Sequence, residues 1–223
     1  MVERASLTAF IADNTVVRPV ALVPELSLHT ADESTAIWQA TERQLADAGV
    51  PPPFWAFAWA GGQALARHLL DHPELVNGRR VFDFAAGSGL VALAAARAGA
   101  RRVWANDIDP FACAAIAANA RLNGLGEHLA VVDRDVTEAA SGAPDRIDLI
   151  TAGDICYERD MTARVMAWLR AQAGTGVTVL IGDPGRDYLP RAALAPVATM
   201  VVPTMADLED ASMRTTTIWR VLP

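Results

Sequence analysis

The sequence of 223 residues contains no lysine, and all 19 of its basic residues are arginine. Without a side-chain amine the chain cannot provide the lysine of a phosphate-binding P-loop, of a pyridoxal Schiff base or of a kinase ATP site. A GC-rich genome explains this bias more simply than selection does. The exclusion of the three chemistries holds for either cause.

Cysteine and histidine are also scarce. Cys113 and Cys156 match no CxxC or zinc spacing, which predicts two reduced thiols. His68 and His72 lie four residues apart on one predicted helix, but Leu69 stands where a zinc protease would have glutamate. The sequence therefore predicts no metal site.

Long apolar runs and a basic charge balance are absent as well. Apolar residues make up 52% of the chain, yet no uninterrupted run approaches the roughly 20 residues of a membrane helix. The first ten residues show no secretory signal, so we expect a cytoplasmic protein without a membrane partner. The net charge of −7 disfavours nucleic acid as a partner, because a phosphate backbone attracts basic surfaces. The length suits one domain, which we expect to be monomeric.

From Val81 onward, short apolar strands alternate with longer helical stretches, which is typical of a parallel sheet covered on both faces. The predicted strands are Arg80–Ala85, Arg102–Asn106, Leu129–Asp133, Ile147–Thr151, Val177–Ile181, Val197–Val202 and Met213–Leu222. The helices predicted between the first five strands are Leu90–Ala98, Phe111–Leu122, a short stretch after Val136, and Glu158–Ala173. No long helix separates the last two strands. The expected fold is therefore α/β and Rossmann-like, with seven strands that are mostly parallel and end in an antiparallel C-terminal hairpin.

Residues 1–78 are less regular, and we expect them to form an N-terminal helical extension that packs over the sheet as a lid. Residues 79–223 would then be the core of a single domain, 1–223. Apolar periodicity predicts a helix from Ala31 to Ala48, which the Gly49–Pro53 segment ends. A second helix is predicted from near Gly61 to about Leu70.

The most informative stretch is Val81–Leu90, in which a strand ends at Gly87 and Gly89 before a helix begins. Glycine lets a ligand approach the backbone where a side chain would block it. Asp107 follows twenty residues after Gly87, at the end of the second predicted strand. A carboxylate there accepts hydrogen bonds from ribose hydroxyls, so the two features together predict an adenosine site.

Adenosine is common to NAD and S-adenosylmethionine (SAM), and the glycine spacing separates the two. The dinucleotide fingerprint G-x-G-x-x-G/A falls here on Ala85, Gly87 and Leu90, and Leu90 argues against a pyrophosphate. SAM has no phosphate, and its sulfonium and amino groups suit an acid such as Asp83. A SAM site is therefore favoured over an NAD-dependent dehydrogenase, although a glycine pair alone is often only a tight turn.

The run Val81–Asn123, which includes Asn106-Asp-Ile-Asp109 and Asn119-x-x-x-Asn123, resembles the seven-stranded class I SAM-dependent methyltransferases. The resemblance implies SAM as the cofactor and makes Asp83 the motif I acid. Ala85 departs from the glycine that is usual at its position.

Three further segments narrow the resemblance. The segment Pro53–Gln63 is similar to the Trp-containing entry of the SAM pocket in the family 16 protein-lysine methyltransferases, and Gly153–Tyr157 resembles their Asp-x-x-Tyr motif. The segment Ile181–Arg186 resembles the corresponding segment in the branch of this group that methylates the β-subunit of electron transfer flavoprotein. The resemblance covers roughly residues 53–223 and implies that subunit as the protein partner.

These comparisons of pattern give each candidate residue a hypothetical role. The catalytic pair would be Asp154, which holds the arriving ammonium by charge, and Tyr157, which lines the channel. The cofactor-binding residues would be Trp59, Asp83, Gly87, Gly89, Asp107 at the ribose, Ile108 on the adenine face and Asp135 at the adenine amino group. The substrate-binding residues would be Glu158, Asp183 and Arg186.

Simpler interpretations exist for the same residues. Trp55 and Trp59 could be core aromatics, Asp154 and Tyr157 could cap the helix near Glu158, and Asp183-Pro-Gly-Arg186 is a good turn sequence. For the whole chain, the alternatives are a methyltransferase for a ribosomal protein or a small amine, and a SAM-binding module without turnover.

Overall fold

The computed structural model describes residues 4–40, 47, 49–138, 143–144, 146–205 and 211–223. The N-terminal elements are α1 (Arg4–Asn14), β1 (Val16–Pro19), β2 (Ser27–Thr30), α2 (Ala36–Gln39) and α3 (Ala60–Asp71). The remaining elements are β3 (Arg80–Phe84), α4 (Leu90–Arg97), β4 (Arg102–Asn106), α5 (Pro110–Leu122), β5 (Leu129–Val132), β6 (Leu149–Gly153), α6 (Arg159–Gly174), β7 (Thr178–Asp183), β8 (Leu194–Pro203) and β9 (Met213–Val221). Short 3-10 turns lie at Phe54–Ala56, Pro73–Leu75 and Arg191–Ala193.

The main sheet has seven strands in the order β5-β4-β3-β6-β7-β9-β8. Strands β3 to β7 pair in parallel, whereas β9 is antiparallel to both β7 and β8. This arrangement confirms the predicted α/β sheet and its antiparallel C-terminal hairpin. The strands β4 and β9 lie within one residue of their predicted bounds, whereas β6 begins and ends two residues later than predicted.

Both faces of the central strands are buried, as a parallel sheet requires. Val81 on β3 packs with α3 and α4 on one face. Its neighbour Phe82 points to the other face and packs against α6, where its ring lies 6.3 Å from that of Trp168. Because successive side chains of a strand point to opposite faces, each central strand contributes to both layers of the core.

The N-terminal extension differs from its prediction. Among the described residues, the helix expected over Ala31–Ala48 is present as α2 and as a helical Asp47, and residues 41–46 and 48 lie outside the described residues. The backbone before α2 has other partners, since Thr30 pairs with Val16 in a hairpin and the amide of Ala31 donates to the carbonyl of Ala56. Helix α1 and the β1–β2 hairpin were not predicted, although Leu7 and Ile11 give α1 an apolar pair at helical spacing.

The extension is attached to the core through α5. Leu7, Ile11 and Ile37 share an apolar cluster with Phe111 and Ala115 of that helix. The short helix predicted after Val136 is a turn over 136–138, and residues 139–142 lie outside the described part. Within the described chain, no helix combines the length and the hydropathy that crossing a membrane demands.

Candidate active site

A cavity of about 420 Å³ lies at the carboxyl ends of β3, β4 and β6. Ligands of open α/β sheets bind at this edge. Eight of the predicted site residues line it: Trp59, Gly87, Asp107, Ile108, Asp135, Asp154, Tyr157 and Arg186. The remaining four, Asp83, Gly89, Glu158 and Asp183, lie elsewhere.

The turn after β3 forms one wall of the cavity. Ala85, Gly87 and Gly89 all have left-handed backbone conformations, with φ of 49°, 53° and 81°. A side chain in this region costs about 1–2 kcal/mol, which explains why glycine is usual at the position of Ala85. The turn closes when the amide of Gly87 donates to Oδ2 of Asp107 over 2.9 Å. The backbone is therefore presented to the cavity with little side chain in front of it.

Asp107 and Ile108 follow β4 and form the adjoining wall. The second oxygen of Asp107 accepts from the amide of Asp109 over 3.0 Å, and burial raises the pKa of the carboxyl. Each oxygen keeps a lone pair for a ligand hydroxyl. Ile108 is 68% exposed although it is apolar, so the cavity has an aliphatic wall that a flat ring can cover.

Asp135 lies at the far end of the cavity. Its Oδ1 accepts from the amide and hydroxyl of Thr137, and its Oδ2 accepts from Arg164 over 2.9 Å. These contacts, the hydroxyl of Thr137 above all, lower the pKa of Asp135. The side-chain amide of Asn106 fixes the loop by donating to the carbonyls of Val132 and Arg134. Arg164 also lines the cavity, and no sequence signal linked it to a residue so distant in the chain.

Asp83 and Gly89 do not line this cavity. Asp83 is buried in a smaller adjoining cavity that shares Trp59, Gly87 and Asp154 with the larger one. Its oxygens accept from the amide of Ala92 over 3.0 Å and the hydroxyl of Thr151 over 2.8 Å, and burial raises its pKa to about 7. A Cβ on Gly89 would lie 3.2 Å from Ile116. Gly89 therefore serves helix packing, whereas Asp83 supports the turn from behind.

Asp154 occupies the other end of the cavity, directly after β6. It is almost buried and has a left-handed φ of 57°. Its Oδ2 accepts from the amide of Gly62 over 3.0 Å, and its Oδ1 accepts from Nη2 of Arg186 over 2.7 Å. Glu158, not Asp154, caps α6, so the helix-cap interpretation of Asp154 is wrong.

Three glycines bring the start of α3 against the strand ends. A Cβ on Gly61 would lie 2.1 Å from the carbonyl oxygen of Gly182, and a Cβ on Gly182 would lie 2.2 Å from that of Gly61. A Cβ on Gly153 would lie 2.9 Å from the amide of Gly62. This close backbone contact delivers the amide of Gly62 to Asp154, and it was not predicted.

Aromatic side chains surround Asp154 and Arg186. The ring of Phe54 lies 5.6 Å from that of Tyr157 and 6.1 Å from that of Trp59, and the indole of Trp59 donates to the carbonyl of Phe54. Tyr157 is 52% exposed at the rim, and partial burial raises its pKa. Phe54 was not predicted as a site residue, although it stands in the Pro53–Gln63 segment.

The positions of Glu158 and Asp183 do not support contact with a substrate. The carboxylate of Glu158 accepts from the amides of Asp160 and Met161 and caps α6. Asp183 is buried, and its Oδ1 accepts from the amides of Gly185 and Arg186. The geometry favours structural roles for both residues: the first begins a helix and the second shapes the loop that carries Arg186.

The residues at the cavity fit SAM. Trp55 lines the cavity, and its buried Nε1 has no hydrogen-bond partner among the described residues. A buried donor without a partner is unfavourable, and an acceptor on a bound molecule would satisfy it. The open turn at Gly87, the lone pairs of Asp107 and the exposed face of Ile108 match an adenosine, and the end at Asp154 offers negative charge to a cation.

The seven-stranded fold and this cavity define a class I methyltransferase. Solved structures share the fold. Ribosomal protein L11 methylase from Lactobacillus delbrueckii subsp. bulgaricus has a TM-score of 0.57 and 21% identity, with 92% of this chain and 100% of that chain covered. Magnesium protoporphyrin IX methyltransferase from Synechocystis PCC 6803 with bound SAM has a TM-score of 0.51 and 13% identity, with 72% of this chain and 77% of that chain covered.

Sequence comparison identifies the family. Residues 64–155 match the family of ribosomal protein L11 methyltransferase (PrmA). A longer match is to the electron transfer flavoprotein beta subunit lysine methyltransferase of Danio rerio, which is 37% identical over 217 residues, with 95% of this chain and 81% of the relative covered. The chain belongs to the family of electron transfer flavoprotein β-subunit lysine methyltransferases.

Proposed function

We propose that the protein transfers a methyl group from SAM to a lysine of the β-subunit of electron transfer flavoprotein. The similarity to the Danio rerio relative over 95% of the chain carries this proposal. It spans the entry segment, the Asp154–Tyr157 motif and the Arg186 loop as well as the cofactor turn. A match to the cofactor turn alone would support only the class of enzyme.

The cofactor end is proposed to bind SAM through its adenosine. Asp107 would accept hydrogen bonds from the ribose hydroxyls, Ile108 would pack on the adenine, and Asp135 would accept from the adenine amino group. Asp83 would attract the amino group of SAM from the smaller cavity, which adjoins the turn at Gly87. The bound SAM supplies an electrophilic methyl group.

The acceptor end is proposed to orient the lysine. A free lysine has a pKa of about 10.4 and is mostly protonated at neutral pH, so the ammonium must lose a proton before its nitrogen attacks. Asp154 would hold the ammonium by charge, while Trp59 and Tyr157 form the walls of the channel and limit water. That proton would leave to solvent, and the neutral nitrogen would then bond to the methyl carbon as the carbon–sulfur bond breaks.

A second candidate acceptor is ribosomal protein L11, because residues 64–155 match that methyltransferase family. This match covers less than half of the chain and omits Phe54, Trp59 and the Arg186 loop. We therefore place the flavoprotein subunit first. The acidic net charge of −7 gives no support to a nucleic-acid acceptor. A monomeric, cytoplasmic protein remains part of the proposal.

The test is transfer of radiolabelled methyl from SAM into purified electron transfer flavoprotein, purified L11 and whole-cell extract. Acid hydrolysis then identifies the labelled residue. Labelled lysine cannot come from the enzyme, because its sequence contains none. Label on lysine of the flavoprotein β-subunit is the expected result, and label on L11 alone would select the second candidate. SAM binding without any transfer would point to a binding module.

A further inference from the structure

The loop after β7 holds Arg186 in place at its backbone. Oδ1 of Asp183 accepts from the amide of Gly185 over 2.6 Å and from the amide of Arg186 over 2.8 Å. Gly185 has a φ of 94°, a conformation that favours glycine. The backbone of Arg186 is therefore fixed, whereas its long side chain reaches across to the acceptor end of the cavity.

The guanidinium of Arg186 contacts a carboxylate and an aromatic ring there. Its Nη2 donates to Oδ1 of Asp154 over 2.7 Å, and its Cζ lies 5.7 Å from the centroid of the Trp59 ring. A carboxylate and an aromatic face are the groups that bind a cation in a partly dry site. They are also the groups proposed to receive the lysine ammonium. Because two cations at one carboxylate repel each other, Arg186 and the ammonium compete for the charge of Asp154.

We propose that Arg186 occupies the ammonium subsite of the free enzyme as a placeholder cation, and that the acceptor lysine displaces it. This inference rests on the proposed function, since it assigns the ammonium subsite of a lysine methyltransferase. The side chain of Arg186 is 22% exposed, against 8% for Asp154, so Arg186 is the more accessible partner of the pair. Arginine suits the role because it stays protonated at any physiological pH and so offers no nucleophilic lone pair.

The placeholder makes the site selective for lysines on proteins. A small amine brings little binding energy beyond its own ammonium and must displace Arg186 unaided. A lysine on a docked protein draws on contacts remote from the reacting atom, and such energy can drive a rearrangement at the site. Arg186 therefore acts as a specificity-determining residue that keeps small free amines out.

Two variants test the inference, Arg186→Ala and Arg186→Gln, with Arg159→Gln as a matched control. Arg159 also places its guanidinium 5.7 Å from an aromatic ring, that of Tyr188, but it does not line the cavity. Folding of each variant is checked by thermal unfolding. Binding of n-butylammonium in the presence of S-adenosylhomocysteine is then measured by calorimetry, which needs no turnover and no protein substrate.

We expect both Arg186 variants to bind n-butylammonium at least about tenfold more tightly than the wild type, because the freed carboxylate supplies a charge-assisted bond. The Arg159→Gln variant should match the wild type. Equal binding in all four proteins would overturn the inference, even if the protein acceptor has been identified. Conversely, if no methyl group is transferred to any protein, the proposed function is contradicted. The affinities for n-butylammonium can still be compared in that case, because their measurement needs no turnover.

Kinetics separate a placeholder from a residue that merely positions Asp154. If Arg186 is a placeholder, its variants should gain SAM-dependent methylation of Nα-acetyl-lysine, and their KM for the protein acceptor should fall. Added methylguanidinium should inhibit these variants, because it fills the vacated subsite. If Arg186 instead positions Asp154, the kcat of its variants should fall while their KM for the protein acceptor does not fall. Added methylguanidinium should then restore their activity. The second pattern would overturn the inference.

Discussion

The two ends of the cavity are built in different ways. Most of the cofactor end comes from one continuous stretch, 81–109, in which a backbone turn closes on the carboxylate of Asp107, and Asp135 joins it from the loop after β5. The acceptor end comes from three distant segments that meet when Gly62 and Arg186 both bind Asp154. From this difference we expect SAM binding to depend on local chain geometry and acceptor binding to depend on tertiary packing. Substitutions at the two ends should therefore separate SAM affinity from turnover.

Removal of the charge at the acceptor end should have the largest effect. Asp154→Asn keeps a residue that tolerates the left-handed backbone and can still accept from Gly62, but it cannot hold an ammonium by charge. We expect kcat to fall by about 100-fold or more, because the acceptor loses its orientation. The affinity for SAM, measured by calorimetry, should change little. A large loss of SAM affinity would move Asp154 into the cofactor site.

The contact between α3 and the strand ends can be broken at Gly61. A Cβ there would lie 2.1 Å from the carbonyl of Gly182, so Gly61→Ala should lower the free energy of unfolding by about 1–3 kcal/mol, as overpacking does. The matched control is Gly62→Ala, since a Cβ on Gly62 meets nothing within 4 Å. Urea unfolding measures both. Equal stability of the two variants would contradict the tight contact.

At the cofactor end, Asp107→Ala should weaken SAM binding. The carboxylate of Asp107 also holds the amide of Gly87, so the variant loses both a ligand contact and a brace of the turn. Hydrogen bonds to charged groups contribute about 1.5–3 kcal/mol, which corresponds to an affinity loss of roughly 10- to 100-fold. With saturating SAM, kcat should stay much closer to the wild-type value than in Asp154→Asn. A variant with normal SAM affinity would refute the role of Asp107.

Asn119 connects the cofactor turn to the N-terminal hairpin, so its loss tests whether the cofactor end is purely local. Its Nδ2 donates to the carbonyl of Ser88 over 2.8 Å, and its Oδ1 accepts from the amide of His29 over 2.8 Å. Asn119→Ala should weaken SAM binding by roughly fivefold, or about 1 kcal/mol. Asn123→Ala is the control, because the side chain of Asn123 bonds Ser27 of the hairpin and the carbonyl of Asn119, and within the described part of the chain it makes no hydrogen bond to Ser88. Equal SAM affinities in the two variants would show that the bond from Asn119 to Ser88 does not support the turn.

A pH dependence of stability is expected from Asp83, behind the turn. Burial raises its pKa from 3.8 to about 7, so the folded state holds this proton over a pH range in which the unfolded state has lost it. The contribution of Asp83 to stability therefore falls as the pH rises from about 4 to about 7, by at most about 1.4 kcal/mol per pH unit. Urea unfolding at pH 5 and pH 7.5 should show a smaller decline for Asp83→Asn than for the wild type. Parallel declines would contradict the raised pKa.

The sequence predicted the cofactor end because its determinants are local. Gly87, Asp107 and the strands that carry them follow from glycine position and apolar alternation, and the seven-stranded sheet is confirmed. At the acceptor end, Asp154, Tyr157 and Arg186 could be nominated by their positions at strand ends. The ion pair between Asp154 and Arg186 could not be predicted from the sequence, because it depends on how two loops meet in space.

The N-terminal extension shows where pattern reasoning failed. The periodicity of 31–48 indicated a helix, but hydrogen bonds to Val16 and Ala56 commit the backbone around Thr30 and Ala31 to other partners. Strand β1 reads Val-Val-Arg-Pro and β2 reads Ser-Leu-His-Thr, so neither shows the apolar pattern of a strand. Likewise, the Gly61–Gly182 contact depends on backbones that are far apart in sequence, so the glycines alone gave no sign of it.

The most direct test of the proposed function is mass spectrometry of electron transfer flavoprotein after incubation with SAM and either the wild-type enzyme or Asp154→Asn. The account predicts methylated lysine on the β-subunit with the wild type, and little or none with the variant at the same SAM saturation. An unmodified β-subunit beside a methylated protein from cell extract would contradict the proposed acceptor, and equal methylation by both enzymes would contradict the role of Asp154.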